Sequence, residues 1–301
     1  MASDHRAERF ALLQSGHAKG RNGNMFLDDE IELVHAGIPR GRFRSVLFDF
    51  DGTLSLIREG WPQVMIPMMV DVLRRTGTAE TEDELAARVE EFVMRLNGRQ
   101  TIFQMIQLAE EVTKRGGTPL EPLEYKHRYH DLLMQRIEGR LESLQRGAVS
   151  PDDWTVPGSR ALLEALGQRG VALYLASGTD LKYVRREVEL LGLAPYFGEH
   201  IYGALDDFRS FSKEMIVQKI LSEHGLRGEE LLGFGDGYVE IEEVKRVGGV
   251  AVAVASDEVK RQGVNAWKRN RLLRAGADIV IPDYRRATRL LEHLFDEKDG
   301  R

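Results

Sequence analysis

The chain has 301 residues, 42% hydrophobic and 30% charged, a composition that can bury a sizeable core and excludes fibrous and globally disordered classes. Its 42 basic and 48 acidic side chains leave a net charge of −6, which argues against a nucleic-acid partner and against a surface built to bind polyanions. The absence of cysteine excludes disulfides, thiolate metal sites and cysteine nucleophiles.

The first residues, through about 43, mix charge, Gly and His with two short apolar runs, at Phe10 to Leu13 and Ile31 to Val34. They read as a loosely ordered N-terminal arm (1–43) without the apolar core of a secretory signal. No run approaches the ~18 consecutive apolar residues that span a bilayer, so a cytoplasmic protein with no membrane partner is expected. From Arg44 the sequence SVLFDF is a continuous apolar run closed by Asp-Gly-Thr, the pattern of a buried strand ending in a turn. Between Trp61 and Arg146 the apolar positions follow a helical period, with Gly77, Gly98, Gly116 and Pro119 as punctuation. That predicts about four helices with no strand between them. After Pro157 helices alternate with the strands VALYLA, HIYGA, LLGFG, VAVAVA and DIVIP, the signature of βα units and a parallel sheet. The expected architecture is therefore a Rossmann-like parallel α/β core (44–56 and 150–301) interrupted by an all-helical insertion (57–149).

Ligands of open parallel sheets bind beyond the carboxyl ends of the strands, and four polar groups stand there. The first strand ends in Asp49-Phe50-Asp51-Gly52-Thr53, another in Ser177-Gly178-Thr179 and a third in Gly235-Asp236-Gly237-Tyr238-Val239-Glu240, while Lys213 opens a helix between the last two. Carboxylates, hydroxyls and one ammonium without histidine suit phosphoryl chemistry with a hard cation. Asp49 and Asp51 lie two apart, so both can leave the pleat on one side, one to attack and one to handle the proton.

In this order, DFDGTL, LASGT, an isolated Lys213 and GFGDGYVE resemble the four motifs of the haloacid dehalogenase (HAD) superfamily. The likeness spans roughly 44–295, and the insertion resembles the helical cap of the group that holds phosphoglycolate phosphatase and β-phosphoglucomutase. The resemblance implies a HAD-like fold. It also implies that Asp49 is the nucleophile, that Asp51 is the acid and then the base, and that Ser177 and Lys213 hold the phosphoryl group. It further implies that Asp236 ligates magnesium with Asp49 and the backbone carbonyl of Asp51. Glu240 stands where an Asp is commoner, with Glu242 nearby, so its contact with Mg2+ is left open between direct, water-mediated and indirect through Lys213. Lys182 and Lys219 compete with Lys213 for the lysine role. The acid at position 51 separates this chain from the dehalogenases and P-type ATPases of the superfamily. An imine-forming phosphonatase would need a cap lysine, and only Lys114 and Lys126 are available.

The expected function is magnesium-dependent hydrolysis of a small phosphate monoester through an aspartyl-phosphate. The alternatives are a sugar phosphomutase and a non-catalytic phospho-ligand binder. Substrate contacts are expected from Thr53, Gly178, Arg58, Arg99 and Gln100, the last two in a short interhelical loop. His127 and His130, one turn apart, read as helix surface because no third ligand is near. The run from Val259 to Arg274, basic and centred on Trp267, reads as a solvated helix face, with an anionic-ligand or nucleic-acid patch as its alternative.

Overall fold

The computed structural model describes residues 18–19 and 25–296. The apolar run at Phe10 to Leu13 lies outside the described residues. The described part of the N-terminal arm is not loose. It supplies β1 (Ala18–Lys19), β2 (Met25–Phe26) and β3 (Glu32–Leu33), an antiparallel edge in which β3 pairs with the last strand of the sheet. Ile31, Leu33 and Phe43 are buried there, so this segment gains apolar burial that its charged composition concealed.

Strand β4 (Ser45–Phe48) is buried at every position and lies parallel to both of its neighbours, β5 (Ala172–Asp180) and β7 (Leu231–Gly235). Beyond them the parallel sheet continues to β6 (Ile201–Ala204) on one side and to β8 (Val250–Val254) and β9 (Ile279–Ile281) on the other. Successive residues of β4 face opposite sides. Val46 and Phe48 join the apolar cluster that holds Leu162 and Leu290, while Leu47 joins the one that holds Ile216 and Val244. Both faces are thus covered, by α5 (Ser159–Gln168) and α11 (Ala287–Phe295) on one and by α8 (Lys213–His224) and α9 (Tyr238–Arg246) on the other. A strand with no solvated face needs no polar alternation, which is why this one reads as an unbroken apolar run.

The insertion holds four helices: α1 (Pro62–Arg74), α2 (Glu82–Leu96), α3 (Thr101–Lys114) and α4 (Pro122–Gln145). Thr81 and Glu84 form a reciprocal capping box at the start of α2. The rest of the core carries α6 (Leu181–Leu190), the short α7 (Ala194–Phe197) and α10 (Ala266–Arg274). Buried ion pairs fasten the insertion to the core: Lys126 of α4 lies 2.5 Å from Asp180, and His130 Nδ1 lies 3.5 Å from the same carboxylate. His130 is thus buried, not on the helix surface as the lack of a third ligand suggested. Among the described residues no helix is long and apolar enough to cross a membrane.

The chain leaves β4 for β5 and β6 and then returns to the other side at β7. The carboxyl end of β4 is therefore the point where strand order reverses, and a crevice opens there. Phe48 is the apolar support of that point, stacked on Phe234 at 4.9 Å and edge-on to Phe197 at 6.1 Å. Phe48→Ala is expected to cost about 3–5 kcal/mol, read as a lower urea midpoint with an unchanged slope.

Candidate active site

The turn after β4 is built around Phe50, whose carbonyl accepts from the backbone N–H groups of Thr53, Leu54 and Ser55 at 2.8–3.2 Å. Gly52 has φ +77°, and a Cβ there would overlap the Asp236 carboxylate. Glycine is thus required both by conformation and by the close approach of β4 to β7. The turn presents Asp49 and Asp51 to one cavity of about 280 Å3, whose lining also includes Ser177, Lys213 and Asp236. All four sequence motifs meet there.

Lys213 stands at the start of α8, which Ser212 caps, and its Nζ donates to Asp49 Oδ1 at 2.6 Å and Glu240 Oε2 at 2.7 Å. Burial opposes this ammonium, but the Asp49 and Glu240 carboxylates outweigh it and hold the Lys213 pKa above its usual value. Burial pushes the Asp49 carboxyl up, with Lys213 pulling the other way. Glu240 accepts the Gly237 N–H through Oε1 at 2.6 Å, so both its oxygens are engaged, one of them on Lys213. Glu242 is exposed and lies outside the cavity lining. Asp49, Asp236 and Glu240 each bring an oxygen to within 4.8 Å of the others, a set of hard donors that could hold a metal ion and fits magnesium.

Asp51 is fixed from the β5 side. Its Oδ2 accepts from Thr179 Oγ1 at 2.8 Å and from Ser177 Oγ at 3.3 Å, while its buried Oδ1 has no hydrogen-bond partner. Thr179, an unassigned member of Ser177-Gly178-Thr179, is therefore part of the site.

Three residues expected to contact substrate are engaged by protein partners, and of these Arg58 also lines the cavity. Thr53 is fully buried; its Oγ1 accepts the Asp236 N–H at 2.9 Å and faces Asp236 Oδ1 at 3.5 Å, so it orients that acid. Arg58, 6% exposed, spends its fork on Glu187 at 2.7–3.1 Å and lies 3.7 Å from Asp51 Oδ1. Glu187 lies on α6, far along the chain, and no spacing rule pairs it with Arg58. Gln100 is buried, and its Nε2 donates to the carbonyls of Phe208 and Phe211, tying the insertion to the loop before α8. Arg99 and Gly178 do line the cavity, with Trp61, Met65 and Met94 of the insertion. Arg99 Nε donates to Tyr238 Oη at 3.0 Å.

The basic run is a solvated face only in part: Lys260, Trp267 and Arg274 are exposed, but three of its cations are engaged by the rest of the chain. Arg269 forks onto Glu32 at 2.5–2.6 Å. Arg271 donates to the carbonyls of Met94, Arg95 and Asn97 at the end of α2 and packs on the Tyr238 and Trp267 rings. Lys268 enters the site itself, with Nζ 2.7 Å from Asp236 Oδ2 and 2.5 Å from Glu258 Oε1.

A family model described as haloacid dehalogenase-like hydrolase matches residues 43–248. The chain belongs to that family. No curated protein matches it. Among solved structures, it is similar to a predicted phosphoglycolate phosphatase from Haemophilus somnus 129pt, at 17% identity and TM-score 0.55 over 83% of this chain and 98% of that one. A β-phosphoglucomutase from Clostridium difficile matches at 13% identity and TM-score 0.57, over 85% and 98%. A HAD family hydrolase from Deinococcus radiodurans R1, solved with bound phosphate and sodium, matches at 18% and 0.51, over 84% and 97%. At these identities the likenesses are of fold. The helical insertion of this HAD-like chain closes on the core through Gly178, where a Cβ would stand 2.7 Å from the Arg99 carbonyl oxygen. Gly178→Ala is therefore expected to lift the 97–101 loop, seen as faster amide exchange there and about a tenfold loss of turnover.

Proposed function

We propose that this hydrolase is a magnesium-dependent phosphatase acting on a small phosphate monoester through an aspartyl-phosphate. The observation that carries the reading is Asp51, a second carboxylate in the Asp49 cavity, anchored through one oxygen by Thr179 and Ser177 while the other accepts no hydrogen bond and lies 3.7 Å from Arg58. Asp49 attacks phosphorus while the ester P–O bond breaks, and Asp51 gives its proton to the leaving oxygen. Asp51 then takes a proton from the water that attacks the phosphoenzyme, returning Asp49 as a carboxylate and releasing phosphate. Lys213 and Ser177 offer donors to the transferring oxygens, where stabilisation of charge matters most. Asp49 and Asp236, with the Asp51 carbonyl, would hold the cation, which when bound neutralises phosphoryl charge. Arg99, Trp61, Met65 and Met94, among the lining residues from the insertion, would meet the leaving group.

Neither cap lysine favours imine chemistry. Lys114 is paired with Glu111 on the surface and Lys126 is locked on Asp180, and neither lines the cavity. Asp49→Asn is expected to lower magnesium-dependent hydrolysis of an aryl phosphate by at least about a thousandfold while the melting temperature is kept. More than a few per cent of the wild-type rate would rule out Asp49 as nucleophile. Asp51→Asn should slow both halves of the reaction by about 10²–10⁴-fold, and normal release of label from a trapped phosphoenzyme would contradict its role as base. With a sugar-phosphate panel, free phosphate is the expected product; an isomer without phosphate release would identify a mutase.

A further inference from the structure

Lys268 belongs to none of the four motifs, yet it is buried in the site, as Lys213 is. It arrives from α10, whose N-cap Asn265 accepts the Lys268 N–H at 3.0 Å, and only 8% of it is exposed. Its ammonium bridges Asp236 and Glu258, with Ser256 Oγ at 3.5 Å. The two lysines divide the acids between them: Lys213 takes Asp49 and Glu240, and Lys268 takes Asp236 and Glu258. Ser256 also donates to the Gly52 carbonyl, so the Lys268 wall is fastened to the turn that carries Asp49 and Asp51.

Asp236 is one of the three carboxylates whose oxygens converge within 4.8 Å. A dication placed there shares a carboxylate with a positive charge already 2.7 Å from one of its oxygens. We propose that Lys268 is the built-in counter-ion of Asp236, holding that carboxylate with Glu258 when no divalent cation is bound and competing with the cation when one binds. Like charges sharing one carboxylate repel, so Lys268 sets the magnesium affinity below what the acid set alone would give. Glu258 draws the ammonium away from Asp236 and moderates that competition. The inference rests on the reading of Asp49 and Asp236 as cation ligands.

Calorimetric titration of magnesium chloride into the full chain, without substrate, tests it. Lys268→Met is expected to bind magnesium about tenfold more tightly than wild type, Lys268→Arg to keep the wild-type affinity, and Glu258→Gln to bind more weakly. If Lys268→Met loses its cooperative melt, Lys268→Gln reads the same quantity with a polar side chain. A role confined to propping up Asp236 predicts weaker binding in both neutral variants. Unchanged or weaker binding in the neutral variant that folds, beside a wild type that binds magnesium, overturns the counter-ion proposal alone. A wild type that binds no divalent cation overturns the cation-ligand reading beneath it.

Discussion

Carboxylates gathered at the end of one buried strand repel one another unless each meets a cation, and this electrostatic constraint organises the molecule. Asp49, Asp51, Asp236, Glu240 and Glu258 converge there, and Lys213, Lys268 and Arg58 answer them from three different parts of the chain. Burying any one of these charges alone would be expensive, whereas burying them as hydrogen-bonded pairs is tolerable. Glu187 completes the balance by neutralising the Arg58 fork. The fixed ion pairs also hold their donors and acceptors in place, so the site is ordered without a ligand.

Cap and core are joined by the same kind of contact. At the base of the insertion, Lys126 and His130 face Asp180, one residue beyond Thr179. At its tip, Arg271 satisfies carbonyls at the end of α2, which have no intrahelical donor. Gln100 fastens the neighbouring loop to the backbone just ahead of Lys213. Elements that carry Asp49, Asp51 and Lys213 therefore also hold the wall that encloses them. Tyr238 shows the economy of this arrangement, since it lies within the fourth motif, accepts from Arg99 and lies beneath Arg271.

Much of this was legible in the residues. The unbroken run SVLFDF announced a central strand, the helical period between Trp61 and Arg146 announced the insertion, and the polar residues ending three strands announced the site. Each of these signals is local: a strand buried on both faces must be apolar, a helix needs its 3.6-residue stripe, and a turn needs its glycine. They specified the α/β class, the insertion and a site at the strand ends holding Asp49, Asp51, Ser177 and Asp236, while Lys213 was singled out by the family resemblance.

What the tertiary structure alone decided is which charges face each other. Arg58 with Glu187, Lys268 with Asp236 and Glu258, Arg269 with Glu32 and Thr53 with Asp236 join residues that are, except for the Lys268–Glu258 pair, more than thirty positions apart. No periodicity encodes such pairs. A charged side chain looks the same in sequence whether it is solvated or paired, and the basic run after Val259 therefore looked like a surface. Only the packing of α10 against β8 turned one of its lysines inward, and only the sheet's edge gave the N-terminal segment something to bury against. Local sequence determined the elements and their chemistry; the partners were decided by the free energy of burying charge, which depends on the whole fold.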